Sequence, residues 1–252
     1  MVFSPVGIKC PECAGQATGP RRTATQVRTA ASSGTGALVT KALIAANVLV
    51  FFVELAQSTR FNVASSEVFQ RGALYGPLVA DGEWWRLVTS GFLHVNFIHV
   101  GLNMLVLWWF GRLLEDYVGR ARFVGVYFVS LLAGSAGALL LSPTSVTVGA
   151  SGAVFGVLGA GLVLERTGTY VFGGQALGLI IVNVIFSFVI SNVSLGGHLG
   201  GLVGGILAML ALSRFGRGHA AYGRIGAEGI LGLVAIAAAS VAIAYLRVRG
   251  YA

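Results

Sequence analysis

Seven apolar runs, each almost free of charge, divide this chain. They fall at about Ala37 to Ala56, Phe92 to Leu114, Phe123 to Leu141, Ser151 to Arg166, Val171 to Ile190, Gly196 to Arg214 and Ala227 to Leu246. Crossing a hydrocarbon core takes about 20 apolar residues. A backbone that must satisfy its own polar groups crosses as a helix or a closed barrel, and runs of this length are helices. The expected fold is an all-α polytopic membrane protein. Composition agrees, with 56% of the 252 residues hydrophobic and 10% charged, against about 25% charged in a soluble domain. Thirty-seven glycines suit helices whose backbones pack closely in lipid.

Three regions follow from this pattern. Residues 1–36 read as a flexible cytoplasmic tail, in which 14–36, rich in Thr, Ser, Gly, Ala and Arg, form a linker. The tail carries one Cys10-Pro11-Glu12-Cys13 unit, half of a zinc knuckle. With no second pair in the chain, Cys10 and Cys13 are weak metal candidates. Met1 to Gly36 has no apolar core segment of a signal peptide, so the N-terminus is expected to stay where it is made. Residues 37–212 hold six spans, and residues 213–252 add a loop and a seventh. The long connection from Gln57 to Gly91 includes Trp84-Trp85-Arg86, which suits the membrane–water interface.

The net charge of +8 would suggest nucleic acid in a soluble protein. Here it follows from the excess of Arg and Lys in cytoplasmic loops. With the N-terminus inside, twelve of the 17 basic residues are cytoplasmic and five are outside. Arg247 and Arg249 go against the bias. Arg-rich, nearly Lys-free usage hints at a GC-rich bacterial genome, and the expected location is a bacterial plasma membrane, multi-pass with the N-terminus cytoplasmic.

In this topology the second, fourth and sixth spans all enter from outside. His99 lies 13 residues above Arg112, Ser151 lies 14 above Glu165, and His198 lies 16 above Arg214. At 1.5 Å per residue these are heights of about 20, 21 and 24 Å in a core about 30 Å thick. The fourth run cannot reach the outer surface as a helix, so Thr144 to Ala150 must descend as irregular chain. Such backbone needs a wet cavity or burial in protein. The sequence thus predicts a pit opening outward, with Ser151 and His198 at its floor. Each residue alone has an ordinary reading: serine as a small packing residue, histidine bonded to a carbonyl, His99 and Asn103 as glue on one helix face. Together at one depth, intramembrane polar residues point to function.

These residues resemble the rhomboid intramembrane serine proteases. The likeness rests on Gly149-x-Ser151-Gly152, His198-x-x-Gly201-x-x-x-Gly205 and His99-x-x-x-Asn103, with His94 and Trp85-Arg86 in support, over about residues 37–212. It implies a six-helix core, to which the C-terminal span is an addition. By this resemblance Ser151 is the nucleophile and His198 its base, a dyad without an acidic third member. His99, the Asn103 amide and the Ser151 backbone N–H would form the oxyanion site. Many members carry Tyr where this chain has Phe155, which can stack on His198 without donating a hydrogen bond. His94 would brace the first loop, and Gly201 and Gly205 would pack against the glycines of the fourth span. No cofactor is implied. The partners would be single-span transmembrane substrates and the bilayer, with no nucleic acid.

Two other readings compete. A silent rhomboid-like protein would bind or retain transmembrane segments on the same fold. A transporter would use the cavity as a path, yet no internal repeat and no acidic residue at mid-depth supports it.

Overall fold

The computed structural model describes residues 2–4, 7–9, 36–60, 62–189, 193–213 and 226–251. The chain forms two compact units, Met1–Thr35 and Gly36–Ala252. In the first, strands β1 (Val2–Ser4) and β2 (Gly7–Lys9) pair antiparallel. Cys10 and Cys13 lie outside the described residues.

The second unit is an all-α bundle. Helix α1 (Leu38–Gln57) is followed by a connection carrying three short helices, α2 (Glu67–Gly72), α3 (Gly76–Ala80) and α4 (Arg86–Thr89). Then come α5 (Phe97–Val118), α6 (Arg120–Leu141), α7 (Ser151–Arg166), α8 (Ala176–Val189), α9 (Leu195–Leu212) and α10 (Ala227–Val248). Helices α1, α5, α6, α9 and α10 are long and apolar enough to cross a membrane. The 16 residues of α7 and the 14 of α8 rise only about 24 and 21 Å.

Three helix starts differ by three residues or more from the sequence reading. The second span begins at Phe97 rather than Phe92, because Asn96 caps it, its side chain accepting from the His99 N–H at 2.9 Å. The third begins at Arg120, one residue after Gly119 with its positive φ. The fifth begins at Ala176 rather than Val171, because Gly173 and Gly174 take left-handed φ of 67° and 81° and delay the helix. Apolarity marks what enters lipid, and caps and turns decide where the helix starts.

Two carboxylates at helix ends replace side-chain caps. Glu115 accepts from the N–H groups of Val39 (3.0 Å) and Thr40 (2.8 Å) and from the Thr40 hydroxyl (2.7 Å), closing the N-terminus of α1. Glu165 accepts from the N–H groups of Phe172, Gly174 and Ala176 at 3.2, 3.0 and 3.1 Å, closing the N-terminus of α8. Helix N-termini favour negative charge and leave N–H groups to be satisfied.

The centre of the bundle is α6, α7 and α9, meeting through glycine. A Cβ at Gly201 would lie 1.9 Å from the Gly152 carbonyl oxygen, and one at Gly205 would lie 2.0 Å from that of Gly156. On the α6 side, a Cβ at Gly196 would stand 2.3 Å from the Gly137 carbonyl and one at Gly200 would stand 2.4 Å from that of Ala133. Any larger residue at these four positions would drive backbone from backbone.

The irregular chain ahead of α7 is pinned to the first connection. Leu74 and Thr147 exchange N–H···O bonds of 3.0 and 2.9 Å, Gly76 N–H donates to Pro143 O at 2.8 Å, and Gly149 N–H donates to Ser90 O at 2.9 Å. Non-helical backbone is tolerable there because protein supplies the partners that lipid lacks.

Candidate active site

Ser151 is the first residue of α7, preceded by Gly149 at φ 124°, a conformation open to glycine and strained for other residues. A side chain at Gly149 would also meet His99, with Cβ 2.7 Å from both Cε1 and Nε2. The glycine therefore does two jobs: it makes the turn into the helix and lets the His99 ring approach the serine. His198 sits in the first turn of α9, where the Ser194 side chain accepts from Gly197 N–H at 3.1 Å.

Glycine packing of α7 on α9 brings the two side chains together. Ser151 Oγ lies 2.8 Å from His198 Nε2. The Phe155 ring, one turn along α7, stacks on the imidazole with centroids 4.2 Å apart and planes at 19°. His198 is 8% exposed. On its other side Nδ1 faces Ser187 Oγ of α8 at 2.5 Å.

The first turn of α7 leaves the Ser151 N–H without an intrahelical acceptor. Asn103, buried on α5, spends one amide proton on the His99 carbonyl at 2.9 Å and keeps its second donor. The His94 ring is fully buried edge-on against His99, with centroids 4.9 Å apart. Burial, reinforced by the charge of His99, pushes the His94 imidazole down to about 3, so it is neutral at physiological pH. Its backbone N–H reaches Glu54 Oε2 of α1 at 3.3 Å.

Beside Ser151 lies a cavity of about 20 Å³, lined by Gly149, Gly152 and Gly197, by Ser90, Ser135, Ser194 and Thr147, and by Leu74, Leu131 and Val148 among others. A water needs roughly 10–15 Å³ and a few polar partners, so the hydroxyl borders a space that can be wet.

Arg86 is covered by protein, at 3% exposure. Its guanidinium pairs with Glu83 through Nη2 and Nε, the latter at 2.7 Å, and donates to Gln70 O (2.8 Å) and Ala73 O (2.7 Å). It ties the first connection together because its planar fork carries five donors and can serve several acceptors at once. Trp85 is half exposed and bonds Arg71 O at 2.9 Å through its indole N–H. The spacing Glu83-x-x-Arg86 was the available signal for the pair.

Sequence reasoning also missed Ser187 and Glu54. Both are polar residues inside apolar runs, which was the signal. Neither belongs to a motif that singles it out.

A family model of the Rhomboid domain matches residues 81–215. The rhomboid protease GluP of Bacillus subtilis is 38% identical over 173 residues, covering 67% of this chain and 34% of GluP. The YdcA protein of the same bacterium is 40% identical over 134 residues, covering 51% of this chain and 67% of YdcA. Rhomboid-like protease 3 of Toxoplasma gondii is 28% identical over 169 residues, 64% of each chain. The chain thus aligns with about a third of the length of GluP and about two thirds of the other two.

Proposed function

The chain belongs to the rhomboid family, and on that premise we propose that it is a serine endopeptidase cleaving single-span transmembrane proteins inside the bilayer. Ser151 Oγ attacks the scissile carbonyl as His198 Nε2 takes its proton. His198 then gives that proton to the leaving amine, and water releases the acyl group by the same route in reverse. The observation that carries this reading is the 2.8 Å contact between the serine hydroxyl and the imidazole, within the reach expected of a nucleophile and its base.

The tetrahedral oxyanion would be held by the Ser151 N–H, the Asn103 amide and His99. Support comes from the free first turn of α7 and from the His99 ring beside Gly149. Losing one such donor typically costs about 3–4 kcal/mol of transition-state stabilisation. Phe155, stacked on the imidazole, would hold the plane of the base without joining in proton transfer. His94 would support the ring of His99 and the end of the first connection.

Cleavage would fall near the outer face, with the N-terminus cytoplasmic, because the site lies at the end of α7 away from Glu165 and Arg166. Substrates would carry small or helix-breaking residues at the cut, since a helical segment hides its carbonyls and the cavity beside Ser151 is small. Labelling of purified protein by a fluorophosphonate tests the nucleophile. Wild type should label and cleave a reporter with an unstable transmembrane helix, and Ser151→Ala should do neither. Equal labelling of Ser151→Ala would refute the assignment. A wild type that binds the reporter without cutting it would point to the silent, retaining alternative.

A further inference from the structure

The proposed dyad leaves the far side of the imidazole unassigned, and that side is occupied. Ser187 Oγ lies 2.5 Å from His198 Nδ1 and 2.9 Å from the carbonyl oxygen of Asn183, one turn back on α8. Ser187 is itself 7% exposed. A hydroxyl has one proton and two lone pairs, and a carbonyl can only accept. With the Ser187 proton on Asn183 O, its lone pair faces the ring. The nitrogen opposite then supplies the proton, which makes His198 the Nδ1–H tautomer. Nε2 is then a bare lone pair 2.8 Å from Ser151 Oγ, the form a base needs to accept the serine proton. Every hydrogen in the chain Ser151, His198, Ser187, Asn183 ends on an acceptor, and all run in one direction.

We propose that Ser187 is a positioning residue, a neutral third member that sets the tautomer and ring orientation of His198. This rests on the protease reading above. A carboxylate in this place would have to be charged to orient the ring, and a charge is expensive at this depth. A hydroxyl accepts the same hydrogen bond without carrying one. It also stabilises the imidazolium once the proton has moved, since hydrogen bonds to charged groups are the stronger ones. The orienting group rides on α8, whereas nucleophile and base ride on the glycine-packed pair α7 and α9. The alignment of the base accordingly depends on where α8 stands.

The tautomer is directly observable. The chain has four histidines, so ring-¹⁵N-histidine protein can be assigned by NMR with His198→Gln as the reference. Wild type should show His198 protonated at Nδ1 and unprotonated at Nε2. Ser187→Ala should move the proton toward Nε2 and lower kcat about 10- to 100-fold, with KM within about twofold, the size expected for losing a hydrogen bond to a charged group. Ser187→Thr should recover most of the loss. Ser187→Cys, similar in volume but a weak acceptor, should behave like Ser187→Ala.

A wild-type His198 protonated at Nε2 overturns the proposal, as does a Ser187→Ala enzyme with unchanged kcat and spectrum. If Ser187→Ala does not fold, the wild-type spectrum and the Thr and Cys pair decide. The spectrum needs no turnover. A wild type that fails to cleave therefore removes the protease reading, while the ring nitrogens still decide the hydrogen-bond chain.

Discussion

Helices α9 and α8 both touch the imidazole, and they are held in opposite ways. Helix α9 meets α6 and α7 backbone to backbone: a Cβ at Gly196, Gly200, Gly201 or Gly205 would fall between 1.9 and 2.4 Å from a carbonyl oxygen. Helix α8 is held at its N-terminal end by Glu165, which takes the N–H groups of Ala176 and of Phe172 and Gly174 in the turn before it, and by buried Ala176 and Ile180. Leu177, Ile181, Val182 and Ile185 point outward at 43 to 55% exposure. A Cβ at its Gly178 would meet nothing within 4 Å. Lipid tails are as apolar as leucine, so helices in a membrane gain little by hiding leucines and more by close approach and interhelical hydrogen bonds. The bundle concentrates its small residues where serine must meet histidine, and gives α8 an apolar outer flank with open space at Gly178.

Three substitutions probe this contrast. Gly201→Ala should have the largest effect, because the new methyl must displace the Gly152 carbonyl, directly beside the nucleophile. A loss of about 1–3 kcal/mol is expected from overpacking, together with loss of fluorophosphonate labelling. Thermal unfolding in detergent and the labelling rate measure both, and an active, stable Gly201→Ala enzyme would mean the seam is looser than drawn.

Glu165→Gln comes next. Weakening a charged cap should cost about 1–2 kcal/mol, and the loss should be local. Hydrogen exchange should quicken across the first turns of α8 while the α7–α9 seam keeps its protection. Equal loosening of both would merge the two regions into one cooperative unit.

Gly178→Ala should have the smallest effect and the opposite sign. With open space around it, the methyl adds helix propensity worth about 0.5–1 kcal/mol, and α8 should exchange more slowly. The same chemical change is thus expected to loosen α9 and tighten α8. A destabilised Gly178→Ala protein would show that α8 packs against something on that face.

Much of the architecture was legible in the chain. Seven apolar runs yield the membrane helices of the bundle, and the short run from Ser151 yields a short helix entered by irregular backbone. Glycines at 149, 152, 201 and 205 marked where close approach was possible. Segment ends were less legible, since Phe92 and Val171 are as apolar as their neighbours and only Asn96, Gly173 and Gly174 set the starts. The burial of Arg86 was not legible, because an arginine beside two tryptophans has the same composition whether or not protein covers it. Ser187 and Glu54 were passed over because a lone polar residue in an apolar run does not say which face of the helix it is on, or what stands opposite.

Run length, charge and the spacing of glycines are properties of the chain alone. They determined an all-helical membrane bundle and the expectation of one shared depth for its polar residues, because partition into lipid is decided segment by segment. Which nitrogen of His198 meets which hydroxyl was decided only by three helices closing on one another. Hydrogen bonds act over about 3 Å, a distance set by contacts between residues far apart in sequence, such as Ser151 with His198 and Gly152 with Gly201.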